Sequence, residues 1–440
     1  MSNDNNDQKD FIDMREGDSK SPIPPEQQAP RHETPIAPPS LEKRKRRFPG
    51  WAIALIFLAI GLAIGISSLN FNGFHWNLNP FSSRDSGFIR QPSDRDLTNL
   101  TFAVGDLNSM EVRLSIDAIN VRTHNGRDIR VVYDAPRSGN YNRPVYNFNQ
   151  RTGHLEIFTE GTIMGVNIRS GNLRIYLPEN SNLGDLALRT STGNIEISMS
   201  GENIAETLDL RSTTGRINAR NFSAGRIAVQ STTGRIELES LQSGNNLTAN
   251  STTGNIDGTN LQAGGDLRIS ATTGRINLTD VNGADGEFRS TTGNITLNAH
   301  DRPFDNVSIT ATTGRINARR FYAESVTIRS TTGNIDISNI TTTSNFTASA
   351  STGQIIADNL EVEGGLSLTT TTGNINLDAS GISRDASFRA STGRVVISDT
   401  GIDGLLEVRT TTGNVNLTRV NTDMNRADIT TNRSANVTIN

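Results

Sequence analysis

Apolar and polar positions follow two rhythms along this chain. From about residue 97 onward they alternate with a period of two over short runs, as in Met110-Glu111-Val112-Arg113-Leu114 and Leu366-Ser367-Leu368. That alternation predicts strands with one buried face. A longer rhythm overlies it, because the phrase STTGNI or STTGRI returns every 19 to 22 residues. Its glycines are Gly193, Gly215, Gly234, Gly254, Gly274, Gly293, Gly314, Gly333, Gly353, Gly373, Gly393 and Gly413. Seven and five places before the glycine stand apolar pairs such as Leu208 with Leu210 and Ile227 with Val229. Two places after it every copy has Ile or Val, from Ile195 to Val415, and seven places after it come Phe222, Leu241, Leu261, Val281, Phe321 and Ile340. Three inward-pointing segments per unit describe one coil of a stack, and self-similarity at this period marks a solenoid.

The pattern predicts an all-β fold: a single-stranded β-solenoid (parallel β-helix) of coils about 20 residues long, covering residues 166–440. At the ~4.8 Å spacing of paired strands it would run roughly 60–75 Å. Glycine tolerates φ > 0 and can turn the chain where other residues meet a steric penalty, so the twelve glycines are read as structural corners. Threonine precedes each of them, and the following residue is mostly Asn or Arg, alternating over Asn255, Arg275, Asn294, Arg315 and Asn334. Interleaved Asn separates like charges that ladder spacing would otherwise bring together.

Residues 97–165 hold strands without the clean repeat and are read as an N-terminal cap over the first coil, whose open edge would otherwise template pairing. Asn125-Gly126 between alternating strands is a two-residue hairpin signal, and Gly153 and Gly171 sit in weaker versions of the corner. At the other end Val437 and Ile439 finish on a strand pattern with nothing to cover them, so weak self-association through the C-terminal edge is expected.

Upstream of the strands, Trp51 to Leu69 is an uncharged apolar run long enough to cross a bilayer. Residues 48–70 are therefore read as one transmembrane helix. Lys43, Arg44, Lys45, Arg46 and Arg47 precede it, which places the N-terminus in the cytoplasm and the repeats outside. A cleaved signal peptide is the competing reading, but the segment before the run is too long for a usual signal n-region. Residues 1–47, rich in Pro and polar residues, are read as a disordered cytoplasmic tail ending in the basic flank, and residues 71–96 as a linker.

Aromatic content of 5% suits a thin core of Ile, Leu and Val rather than a large globular interior. A net charge of −4 predicts no nucleic-acid surface. With no cysteine, disulfides and thiolate metal sites drop out. The five histidines show no metal-ligand spacing, and the many serines and threonines occupy repeated positions with no partner base. No catalytic, cofactor-binding or metal-ligating residue is assigned, and no cofactor is expected. Carbohydrate-cleaving β-helices are a rival reading. Here, however, the outward acids Glu196, Glu237, Asp257 and Asp336 are interrupted by Asn218, Asn277 and Asn317, and neither aromatic platforms nor a cleft-walling insertion is evident. The arginines at Arg189, Arg211, Arg289, Arg329, Arg389 and Arg409 either line a basic stripe for anionic envelope polymers or are neutralised by interspersed Asp and Glu.

The repeated Thr-Gly-Asn/Arg-Ile corner, preceded by the MEVRLSI and INVRTHNGRDIRVVYD strands, resembles the bacterial putative-adhesin family with β-strand repeats, a domain of unknown function. The resemblance implies a membrane-associated or surface-displayed β-solenoid, with some members linked to envelope stress responses. It defines no functional residues to carry over. The expected function is a non-enzymatic, membrane-anchored surface solenoid, an adhesin or cell-envelope interaction protein. Its expected partners are the membrane and an envelope polymer or another surface protein, with no nucleic acid. The alternative is an envelope-stress sensor that couples the outer coils to the cytoplasmic tail.

Overall fold

Alternation with one apolar face needs a second apolar face to cover it, and here each coil supplies that cover by folding round on itself. The structure, a computed structural model, describes residues 99–439 apart from 139–140, 142, 161–167, 180, 182, 201–204, 300–302 and 432–436. The segments expected to form the tail (1–47), the transmembrane helix (48–70) and the linker (71–96) lie outside the described residues. Among the described residues no helix is long and apolar enough to cross a membrane.

The repeats form the expected parallel β-solenoid. A typical coil runs up one strand, Leu267–Thr273, turns at Gly274, and continues through Ile276–Asn282. Its successor lies beside it in parallel register, with Thr273 opposite Thr292 and Ile276 opposite Ile295. Each inward column is thereby a ladder, and in the column two after the glycine Ile195, Ile217, Ile236, Ile256 and Ile276 are all fully buried. Volume is balanced within coils. Phe346 faces inward two places from Ala348, Phe388 two places from Ala386, and Phe288 two places from Gly286, so the narrow core stays filled without overpacking. Phe288, Phe304 and Phe321 stack edge to face, with centroids 6.4 Å apart.

The corner glycines are required for a closer reason than freedom of rotation. A Cβ built on any of the twelve would lie 1.8–2.1 Å from a backbone carbonyl oxygen of the preceding coil. For all but Gly193 that oxygen belongs to the preceding corner glycine. From Gly254 to Gly413 the φ angles are 148–159° as well, a region that side chains avoid. A second corner lies six residues after ten of the twelve glycines, all but Gly193 and Gly293. Asn221, Ser240, Asn260, Asp280, Arg320, Asn339, Asn359, Ala379, Asp399 and Arg419 all take φ near 50° there. Asn and Asp tolerate this left-handed conformation best, and they fill most of the column.

The N-terminal region interleaves rather than simply precedes the coils. It contains β1 (Asn99–Ala103), β2 (Ser109–Leu114), β3 (Ala118–His124), β4 (Asp128–Asp134), β5 (Pro144–Asn149), β6 (His154–Thr159) and β7 (Asn172–Pro178). Next come β8 (Leu183–Thr190) and β9 (Ile195–Ser198). β2 lies parallel between β6 and β8, and β3 lies parallel between β7 and β9. Ser109–His124, within the segment read as cap, therefore stack as a coil. Antiparallel strands cover this end, with β5 on β6 and β1 on β4 on β7.

Two local expectations are corrected. Asn125-Gly126 does not close a hairpin, because β7 lies between β3 and β4. Neither residue takes the positive φ that a tight primed turn requires. His124 braces the wider turn instead, bonding the Asp128 carbonyl at 2.6 Å and the Gly126 N–H at 3.1 Å. Gly153, with φ 63°, lies in the turn between β5 and β6, not at a solenoid corner. Gly171 does stand in the corner column, its carbonyl accepting from Ala118 N–H at 3.2 Å. At the other end Ala427–Thr431 pairs with Leu406–Thr412, and Val437–Ile439 pairs with Val415–Thr418.

Gly293→Ala should cost ~2 kcal/mol or more, because its Cβ would lie 2.0 Å from Gly274 O and force the coils apart. Gly401→Ala, with nothing within 4 Å of its Cβ, should be near neutral. Urea midpoints check the pair, and equal midpoints would refute the close-approach account.

Candidate interaction surface

What the coils offer a partner is set by their outward columns. At the glycine corner the Ser/Thr-Thr pair points outward in nearly every coil, giving an exposed hydroxyl ridge with Thr214, Thr233, Thr253 and Thr273 in register. The residue three before the glycine turns inward, and in several coils its hydroxyl ties coil to coil. Ser212 donates to Gly193 O at 3.1 Å, Ser290 to Gly274 O at 3.1 Å and Thr370 to Gly353 O at 3.0 Å. The Asn that follows the glycine has a defined job. Asn255, Asn294 and Asn374 each accept, through Oδ1, the backbone N–H of the next coil's arginine at 2.9–3.0 Å. The alternation of Asn and Arg thus satisfies a backbone donor as well as separating charge.

The outward acids are engaged in ion pairs with arginines of their own or adjacent coils. Glu196, Asn218, Glu237, Asp257 and Asn277 form one in-register column. Arg235 bridges two of its carboxylates, Glu237 at 3.1 Å and Asp257 at 2.8 Å, while Arg315 holds Asp336 at 3.3 Å. The arginine column four before the glycine is largely neutralised too. Arg189 pairs with Glu111 and Asp209, Arg211 with Asp209, Arg289 with Glu287, and Arg389 and Arg409 with Glu407. The Arg389 guanidinium and the Ser387 hydroxyl hold the Glu407 carboxyl below its ordinary range. Exposed pairs of this kind add little stability singly, and they leave most of the surface electrically balanced. No group of three or more His, Cys, Asp or Glu residues that could hold a metal occurs among the described residues. Two grooves open between columns. One of about 800 Å³ is bordered by Glu206, Arg226 and Gln242, and one of about 270 Å³ by Arg329 and hydroxyl side chains.

Asp117, a carboxylate buried at the N-terminal end of the stack, takes the glycine's place in the corner column of the coil built by β2 and β3. Its carbonyl is the oxygen that a Gly193 Cβ would strike. The carboxylate is 1% exposed. Oδ1 accepts from the Gly171 N–H and from the Tyr133 hydroxyl at 3.2 Å, while Oδ2 has no partner. Burial pushes the carboxyl above its usual range, and the bonds from Gly171 and Tyr133 pull it partly back. Burial and the neighbouring Asp117 push the Tyr133 hydroxyl up as well.

Outward polar columns on a stack of in-register coils define a β-solenoid scaffold. The chain belongs to the Toastrack DUF4097 family, whose model matches residues 107–321, 245–393 and 319–440. A solved structure from Bacteroides fragilis NCTC 9343, described as a putative adhesin, is similar at 13% identity. The match covers 65% of this chain and 98% of that one, with a TM-score of 0.20. No curated protein matches the chain.

A carboxyl whose folded pKa is raised binds its proton more tightly when folded. Its burial therefore weighs against folding only as pH climbs above the ordinary value of ~4. Asp117→Asn removes that titration. Its urea midpoint should gain on the wild type as pH is raised from 4 to 7, whereas a constant difference would mean that Asp117 titrates normally.

Proposed function

We propose that this chain displays its solenoid outside the cytoplasm from a single-pass N-terminal anchor and engages cell-envelope material as an adhesin-like protein, without catalysis. The observation that carries this reading is the unbroken run of in-register coils, whose outward columns are short polar side chains and mutually neutralised charges. A surface of that kind offers many shallow, repeated contacts rather than one walled site where water is excluded. Membership of the Toastrack family and the apolar run Trp51–Leu69 behind its basic flank support the same reading. Among the described residues Ala427–Thr431 and Val437–Ile439 each pair with a single strand, and weak self-association through this edge is part of the proposal.

The full chain should fractionate with membranes, and a reporter fused after Asn440 should be active only outside the cytoplasm. The purified chain should co-sediment with envelope fragments and release no reducing ends from them. A cytoplasmic reporter, a soluble full-length chain or newly formed reducing ends would each overturn the proposal.

A further inference from the structure

One stretch of the surface departs from the neutralised pattern. On the strands leading to Gly314, Gly333, Gly353 and Gly373, the outward column six before the glycine reads Ser308, Thr327, Thr347, Ser367. The column four before it reads Thr310, Arg329, Ser349, Thr369 in the same register. Across these four coils this face holds hydroxyls and a single guanidinium, with no carboxylate. On either side the usual ion pairs resume, Arg289 with Glu287 at 2.6 Å and Arg389 with Glu407 at 2.9 Å. The Arg329 side chain is exposed, and its guanidinium has no ion pair or hydrogen bond among the described residues, whereas every other arginine of its column that the sequence singles out is paired. The groove of about 270 Å³ opens here, bordered by Thr310, Arg329, Ser349 and Thr369.

Resting on the reading of envelope engagement, we propose that this groove binds a strand of a uronic-acid polysaccharide, with Arg329 taking a sugar carboxylate. A guanidinium with all its donors free is matched to a carboxylate, which it can grip through two parallel hydrogen bonds. Each hydroxyl both donates and accepts, which suits the hydroxyls of a sugar chain. Neighbouring coils repeat those hydroxyls every ~4.8 Å along the axis, so a polymer crossing the coils meets the same chemistry at each step. A nucleic acid would need a series of cations to neutralise successive phosphates, and this face supplies one. The flanking carboxylates Glu287 and Glu407 are held by their own arginines and do not oppose the ligand.

The test uses the full chain in detergent, with polygalacturonate as the probe and dextran as the neutral counterpart. Polygalacturonate should bind and dextran should not. Arg329→Gln should weaken polygalacturonate about tenfold, the scale of one charge-assisted contact. Arg409→Gln removes the same charge from an ion-paired position in the same column and should leave affinity within about twofold, by the same scale. Circular dichroism should show both variants folded. Equal losses in the two variants, equal binding of dextran, or no binding of polygalacturonate would overturn the proposal. Co-sedimentation of the wild type with envelope fragments separates the two readings. If it persists while polygalacturonate fails to bind, only the groove assignment falls. If the wild type does not co-sediment, envelope engagement itself fails.

Discussion

The structure depends on one close approach: the backbone carbonyl of a corner glycine in one coil occupies the space where a Cβ would stand in the next. With a Cβ to carbonyl oxygen separation of 1.8–2.1 Å for any substituted residue, no side chain can be accommodated without parting the coils. The contact fixes where each coil sits on its predecessor, and the other coil-to-coil ties follow from that placement. Gly274 N–H reaches Thr292 O at 2.9 Å, and Ile276 N–H reaches Asn294 O at 2.9 Å. In coils that carry them, the hydroxyl three before the glycine and the Asn after it satisfy further backbone groups. Because each coil answers only to its neighbours, stability accumulates coil by coil.

This organisation explains which features could be read from the sequence. The glycine column, the alternating apolar offsets and the Asn/Arg alternation are legible because the chain carries many copies of one local solution, and a requirement shared by all of them stands out. The second corner is not legible in that way. Asn, Asp, Ser, Arg and Ala all occupy it, since a left-handed residue with open space around it needs only to tolerate φ near 50°. The interleaving of β2 between β6 and β8 was also hidden, because it depends on a pairing between segments distant in sequence, with no local signature. Asp117 was overlooked for the related reason that it fills a glycine position in a coil whose phrase, Leu114-Ser115-Ile116-Asp117-Ala118-Ile119, lacks the repeat.

The candidate surface shows the same division. Fixed offsets suffice to identify which arginines share a column, and they leave open whether that column forms a basic stripe or a neutral ladder. The answer lies in reaches between coils, such as Arg235 spanning Glu237 and Asp257, which depend on side-chain length and local register. A solenoid thereby separates two tasks. Inward columns and corners carry stability under tight constraint, while outward columns vary from coil to coil without disturbing the stack. Binding chemistry can therefore be written onto a few coils at a time.

The central claim is that the coil, bounded by its glycines, is the unit of structure. Excising Arg275 through Gly293 removes one whole coil and brings Gly274 into contact with Asn294, so every column resumes in register. That deletion should leave a β-rich chain that unfolds cooperatively in urea, with a modestly lower midpoint. Excising only Arg275 through Ala284 breaks the columns and should abolish the cooperative transition. If the two deletions unfold alike, or if the half-coil deletion is the better tolerated, the account is contradicted.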